Sequence, residues 1–427
     1  MLPNTKNDLK WGIFSPCLFA SKCIKLDSKQ TKTVRVRKRE MKGKKLKIAM
    51  VTNNYTPYNG GVVSSINSFA EELKKQGHKV FIITLDFLGK KHNDPDNVVR
   101  IPSIMKFIYK KNHMAVVLRS TKKLEKIIKK INPDIIHSHH PFYLGSSAEK
   151  VAKKLDIPII FTYHSTYERY AHYIPVPQWI TRPIIKKTVL SFCKKVDGII
   201  VPCNEIKQYL IKNEIKTNIT RIPSGILPIF INNKHENKRD NKSTFNMLTV
   251  SRFAKEKNIP LLLDVLDKLY FDGSQEIKYT LTLAGYGAEF ENIQQYAYQK
   301  LCLPKENVRF LHKPNKQHIS KLYSQSDLFL FSSTSDTQGL VLAEAMASGC
   351  PVVSIDGAGQ RDIVKNNYNG FLVDSAKEMA EKITFVAQNT SIHEKLKNGA
   401  FETGTQYHPQ KMTLLMATLF QKQAKKF

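Results

Sequence analysis

The stretch FLFSSTSDTQGLVLAEAMASGCPVVSIDG, Phe329 to Gly357, sets two carboxylates, Asp336 and Glu344, on either side of a glycine at the mouth of a helix. The apolar run ahead of the glycine reads as a strand. Gly339 opens the helix GLVLAEAMAS, and Gly349 with Pro351 closes it. The first amides of a helix have no acceptor within it, and the helix dipole leaves positive potential at that end. The amides of Gln338, Gly339, Leu340 and Val341 are therefore a candidate anion site that suits a diphosphate. Glu344, little more than a turn inside, is placed to accept hydrogen bonds from sugar hydroxyls, and Asp336 stands on the loop ahead of it. Each carboxylate also has a plainer reading, because an acid near a helix N-terminus is stabilising without any ligand.

Other chemistry-bearing residues follow strand-like runs. VSRFAKEKN supplies Arg252 and Lys257, two cations that could clamp a diphosphate or simply belong to a solvated loop. Gly60 and Gly61 directly precede a helix, where a glycine pair lets backbone amides approach an anion or makes a tight turn. LAGYG repeats the strand-to-glycine pattern, but Phe290 stands where a dinucleotide fingerprint needs its third glycine. Two metal readings arise. Asp94 and Asp96 form an Asp-x-Asp pair in a polar loop, and HSHH brings His137, His139 and His140 together. On a strand His137 and His139 share one face, so at most one of the histidines is expected in a cleft.

The elements that must position these residues are apolar strands alternating with helical patterns, the signature of parallel βαβ units. One series runs through KIAMVT, KVFIIT, DIIHSH, IPIIFTYH, DGIIVP and ITRIP; a second runs through FNMLTVSR, YTLTLAG, NVRFLH, DLFLFSS, PVVSI and GFLV. The polar stretch FINNKHENKRDNKST between them has no apolar period. The fold class is α/β, with two doubly wound domains. The expected organisation is a basic extension over 1–44, a first domain over 45–223, a linker over 224–243, and a second domain over 244–427 that includes the C-terminal helices. Open parallel sheets bind ligands beyond the carboxyl ends of their strands, so two of them place a cleft between the domains.

At 427 residues and 41% hydrophobic, the chain can bury two cores. No run of eighteen uncharged apolar residues occurs, and WGIFSPCLFA is about half of what a bilayer crossing needs. Lysines follow it and no cleavage site does, so secretion is not expected, and Met41 is an alternative start. The six cysteines are scattered and read as reduced thiols of a cytoplasmic protein. A net charge of +31 calls for a polyanionic neighbour: nucleic acid, an anionic membrane surface or phosphorylated substrates. In STKKLEKIIKKINPD, Leu124, Ile127, Ile128 and Ile131 make one apolar stripe, and Lys122, Lys123, Lys126, Lys129 and Lys130 cover most of the rest. Such a helix reads as membrane-surface binding or as a surface helix docked on the core by its stripe.

In combination these motifs resemble the retaining nucleotide-sugar glycosyltransferases of family four, whose GT-B fold has two Rossmann-like domains and an interdomain cleft. The resemblance spans Lys45 to the C-terminus. The family's Glu-x7-Glu pair is here Asp336 and Glu344, with the shorter acid first. By resemblance Glu344 would hold the nucleotide ribose, Asp336 the hydroxyls of the donor sugar, and the amides near Gly339 the diphosphate. Arg252 and Lys257 match the basic pair that neutralises the leaving group, Gly60 and Gly61 the glycine loop of the acceptor domain, and His164 in FTYHSTYERY the histidine facing the donor sugar. Retention would come from front-face substitution, with the leaving phosphate oxygen taking the acceptor's proton. Neither a metal nor a cofactor is implied, and the donor would be UDP-glucose or a similar nucleotide sugar. SIMKFIYKKNHMAVVLR and HSHHPFYLGSSAEKVAKKLDIPIIFTYHSTYERYAHYIP resemble the branch that glucosylates diacylglycerol. The implied partners are that lipid acceptor and an anionic membrane surface, the inner face of the cell membrane, with no nucleic acid. A mannosyltransferase acting on a saccharide or polyisoprenoid phosphate, a GT-B nucleotide-sugar isomerase and a non-enzymatic nucleic-acid binder are the rival readings.

Overall fold

The computed structural model describes residues 44–427 except 57–59, 87–93, 110–111, 169–170, 172–175, 233–242, 272–276 and 335. The basic N-terminal stretch, with Cys17, Cys23 and Met41, lies outside the described residues, as does half of the expected linker, 233–242. The first half runs β1 (Lys47–Val51), α1 (Gly61–Lys75), β2 (Lys79–Leu85), β3 (Val98–Ile101), a hairpin of β4 (Met105–Tyr109) and β5 (Asn112–Val116), and α2 (Ser120–Ile131). It continues with β6 (Ile135–Ser138), α3 (Leu144–Leu155), β7 (Ile159–Thr162), α4 (Gln178–Cys193), β8 (Gly198–Val201), α5 (Asn204–Lys212) and β9 (Ile219–Arg221). After α6 (Pro228–Asn232), the second half holds β10 (Thr244–Arg252), α7 (Ile259–Phe271), β11 (Lys278–Tyr286), α8 (Phe290–Gln295), β12 (Val308–His312), α9 (Lys316–Gln325) and β13 (Leu328–Phe331). It ends with α10 (Leu340–Ala347), β14 (Val352–Ile355), β15 (Gly370–Val373), α11 (Ala376–Gln388), α12 (Thr390–Thr405) and α13 (Pro409–Ala424).

Seven strands form one sheet in the order β3-β2-β1-β6-β7-β8-β9, and six form the other in the order β12-β11-β10-β13-β14-β15. Every pairing within these two sheets is parallel. Central strands such as LFLF and GIIV are buried along their whole length, which is why they read as continuous apolar runs rather than alternating ones. Both sheets are doubly wound, and the strand order reverses between β1 and β6 in the first and between β10 and β13 in the second. Those two switch points open crevices at the carboxyl edges, where ligands of such sheets bind.

Three expectations change in detail. The segment after Ile222 is no bare linker, because Ile226 and Phe230 are buried in the core of the second half with Leu342, Ala343 and Met346. One apolar residue ahead of a short helix and one within it carry too little periodicity to announce themselves. The last helix, α13, crosses back to the first half, where Met412, Met416, Ala417 and Phe420 pack with Ile66, Phe69 and Ile160. Four such side chains withdraw enough apolar surface to stabilise the crossing by several kcal/mol, at roughly 1.5–3 kcal/mol for each large one. Met105–Tyr109 and Asn112–Val116 pair as an antiparallel hairpin apart from the two parallel sheets. On α2 the apolar stripe is consumed by the core: Leu124 and Ile128 are fully buried, and Ile127 and Ile131 pack partly buried against the same cluster. The stripe therefore has no apolar face left to offer a membrane, and α2 contributes charge alone.

Close backbone approach fixes α10 against α12. A Cβ on Gly404 would stand 2.1 Å from the Ala347 nitrogen and 2.4 Å from its Cα. Backbone atoms cannot rotate aside, so Gly404→Ala is expected to lower stability by roughly 2 kcal/mol or more. A thermal midpoint unchanged from wild type would contradict this packing.

Candidate functional site

The second switch point gathers the predicted basic and acidic residues. Arg252 ends β10, and Lys257 follows in a short 3-10 turn, Lys255–Lys257. Ser332 and Ser333, just past β13, pin that turn by donating from their hydroxyls to the carbonyls of Lys257 at 2.7 Å and Glu256 at 3.3 Å. Lys257 Nζ then reaches both carboxylate oxygens of Asp336, at 2.8 and 2.7 Å. Arg252 Nη2 donates to Glu256 Oε1 at 3.0 Å. Gly339 caps α10 with φ 62° and ψ 51°, left-handed backbone that favours glycine. Among the described residues, no acceptor is found for the amides of Gln338, Gly339, Leu340 and Val341. An oxyanion brought to this point meets free amides, a helix N-terminus and two cations at once.

Glu344 lies one turn deeper, partly exposed, and its Oε2 accepts from Tyr323 OH at 3.2 Å. Burial raises its carboxyl to about 7, against the opposing pull of the Tyr323 hydrogen bond and the Lys316 charge. It is poised to gain from any hydroxyl that donates to it. Behind the loop, a Cβ on Gly359 would stand 2.7 Å from the Gln338 nitrogen and 2.9 Å from the Asp336 carbonyl oxygen. Gly359 N donates to that oxygen, and Gln360 Nε2 donates to the Ser333 carbonyl. Sequence reasoning passed over this GAGQ segment; its two glycines directly after the strand PVVSI were the available signal.

The first half meets this loop directly. Thr337 Oγ1 donates to the His164 carbonyl at 2.7 Å. Gln338 makes a two-way bridge to Ser224, accepting from its amide and donating to its carbonyl, both at 2.9 Å. Gln338 was expected to offer only its amide, so its side chain has a second task. Farther along, Arg361 Nη1 pairs with Glu205 Oε2 at 2.9 Å, and the Asp362 carboxylate accepts from the Asn204 amide at the start of α5. These contacts join the two walls of the cleft.

His164 follows β7 and is partly exposed, while His139 at the end of β6 is fully buried. His139 Nδ1 and His164 Nε2 lie 2.9 Å apart and share a proton. His139 Nε2 is buried without a partner. An orphaned nitrogen is less costly as a bare acceptor than as an N–H, so the shared proton belongs on His139 Nδ1 and the other proton on His164 Nδ1. Burial holds both rings well below the usual histidine range, so both are neutral. The His139 contact escaped the sequence because nothing local in β6 points to β7. Gly60 caps α1, and Gly61, its first residue, has no atom within 4 Å of where a Cβ would stand. That glycine is not required by packing, and it faces open space.

The metal readings find structural explanations instead. Asp94 holds Arg100 with two hydrogen bonds, at 2.6 and 2.9 Å. His137 and His139 do share one face, with ring centroids 4.1 Å apart, but His137 Nε2 is paired with Thr162 Oγ1 at 2.7 Å. Among the described residues, no group of three or more His, Cys, Asp or Glu could hold a metal ion.

Two Rossmann-like parallel-sheet domains, each with its switch point at a shared cleft, define the GT-B class of glycosyltransferases. The chain belongs to glycosyltransferase family 4: residues 59–228 match the family model Glycosyltransferase Family 4 and residues 230–403 match Glycosyl transferases group 1. It is a hexosyltransferase. It is similar to alpha-monoglucosyldiacylglycerol synthase of Streptococcus pneumoniae, at 31% identity over 79% of this chain and 77% of the relative. The protein of the same name from Acholeplasma laidlawii is 26% identical over 83% of this chain and 92% of its own length. Among solved structures, Anabaena HepE in complex with UDP superposes with a TM-score of 0.68 at 17% identity, over 88% of this chain and all of that one.

Proposed function

We propose that this enzyme transfers glucose from UDP-glucose to a membrane lipid, 1,2-diacylglycerol, with retention of configuration. The observation that carries the donor half is the meeting of Lys257, Asp336 and the unpaired amides of α10 at one switch point. The names of the two relatives support the lipid half. Lys257, Arg252 and the amides from Gln338 to Val341 take the diphosphate, Asp336 and His164 the hydroxyls of the hexose, and Glu344 those of the ribose. Gly61 leaves room for the backbone of α1 to approach the donor, and Gly60 sets its entry.

On binding, Lys257 and Asp336 exchange part of their mutual pairing for phosphate and sugar oxygens. Their rigid placement means little reorganisation is needed as charge grows on the leaving group. The bond from the anomeric carbon to the phosphate oxygen breaks, and a new bond forms to the acceptor oxygen on the same face. The acceptor's proton passes to the departing diphosphate, so no protein base is required. Positioning and charge stabilisation supply the rate.

The test is a panel of nucleotide sugars incubated with diacylglycerol, saccharide and polyisoprenoid phosphate acceptors. UDP release that requires both UDP-glucose and diacylglycerol, giving an α-linked glucolipid, is the expected result. GDP release with a saccharide acceptor would replace this reading with the mannosyltransferase one.

A further inference from the structure

Among the described residues, no helix is long and apolar enough to cross a membrane, and α2 has no apolar face to spare. If the acceptor is a lipid, some other surface must meet it. At the start of α4, Val176, Trp179 and Ile184 are 42%, 77% and 58% exposed. The helix anchors itself elsewhere, through Thr181, Ile185, Val189 and Phe192. Arg182, Lys186, Lys187, Lys194 and Lys195 are exposed alongside, and no acid occurs from Val176 to Lys195. Aromatic and branched apolar tips set among unopposed cations are the composition of a surface that enters an anionic lipid interface.

Position supports this. In a parallel sheet each helix begins at the carboxyl edge of the strand before it, so the start of α4 lies on the same edge as His164 at the end of β7. A second exposed apolar group lies on that edge too: Ile104 and Met105 follow β3, and Leu118 precedes α2. Exposed Lys122, Lys126 and Lys130 on α2 stand behind Leu118.

We propose that Val176, Trp179 and Ile184, with the cations of α4, form the surface that inserts into anionic lipid at the mouth of the cleft. The acceptor then reaches the cleft without leaving the lipid layer, an inference that rests on the lipid-acceptor reading above. A second copy of the chain fits this surface poorly, since pairing would bring two unopposed cation belts together.

Trp11 and Trp179 are the only two tryptophans of the sequence, so full-length protein carrying Trp11→Phe reports on Trp179 alone. Mixed with phosphatidylglycerol-containing vesicles, its emission should shift to the blue and be quenched by brominated acyl chains, with little change on phosphatidylcholine alone. In the wild-type background, Trp179→Ala with Ile184→Asn should weaken vesicle flotation roughly tenfold and raise the apparent KM for lipid acceptor, with UDP affinity unchanged. Unshifted emission, whether or not the protein floats, overturns the proposal. A shift that follows protein concentration without vesicles also overturns it, in favour of self-association. Insertion without any lipid glucosylation would sink the acceptor reading and leave the docking surface standing; lipid glucosylation without insertion would do the reverse.

Discussion

Lys257→Ala is expected to lower turnover by about 10²-fold or more while the fold survives, because it removes a preorganised cation from the wall of the cleft. The side chain is only 12% exposed and Asp336 26%, so solvent replaces little of what is lost. The truncation also leaves the Asp336 carboxylate unopposed beside an incoming diphosphate, adding repulsion to lost attraction. Arg252→Ala should act in the same direction with a smaller effect, since that side chain is 39% exposed and already shares Glu256. The double variant Lys257→Ala with Asp336→Asn, read by its affinity for UDP, separates two explanations. If the lysine serves only to neutralise Asp336, the second change restores UDP affinity; if the lysine meets the diphosphate, UDP affinity stays low. Near-normal turnover in both single variants, with thermal midpoints like wild type, would remove this pair from the chemistry.

The residues legible in the sequence are those whose signals are local. Asp336, Gly339 and Glu344 fall within a single strand-loop-helix unit, and the strand LFLF, the left-handed glycine and the helix after it each announce themselves. The alternation of such units was enough to give two doubly wound sheets. What escaped was created by long loops of chain. Gln338 and Ser224 are 114 residues apart, and Thr337 and His164 are 173 apart. Polar side chains on loops carry no period, so nothing marks their partners. The stripe of α2 failed in another way: a helical pattern shows that a face is apolar, not whether the face meets a sheet or a membrane. Trp179 and Ile184 gave no signal either, because along the sequence of α4 they alternate with the core-facing Thr181, Ile185 and Val189, and only burial distinguishes the two sets.

Donor affinity is expected to fall as pH drops through about 7, the value to which burial raises Glu344. Ribose hydroxyls donate best to the ionised carboxylate, so the nucleotide sugar binds the deprotonated form and binding below pH 7 releases a proton. The loss approaches tenfold per pH unit until the pKa of the complex is reached. The histidines of the facing wall do not mask it. Burial lowers His137 to about 3 and His140 to about 4, and holds His139 and His164 well below their usual range. Intact UDP-glucose, unlike free UDP, has no phosphate group that titrates in this window. The stability sign follows from the same shift. A carboxyl raised in the fold is harmless below its unfolded value near 4.5, and its burial is increasingly unfavourable as pH rises to about 7. At pH 8, Glu344→Gln should therefore be more stable than wild type, by up to about 3 kcal/mol, while binding UDP-glucose at least tenfold more weakly. Its affinity should no longer vary between pH 5 and 8. Asp336→Asn, by contrast, should leave UDP affinity near wild type and damage sugar transfer. Calorimetric titration of both variants with UDP and UDP-glucose decides the matter: a pH dependence that persists in Glu344→Gln, or an equal loss of UDP affinity in the two variants, would take the ribose away from Glu344.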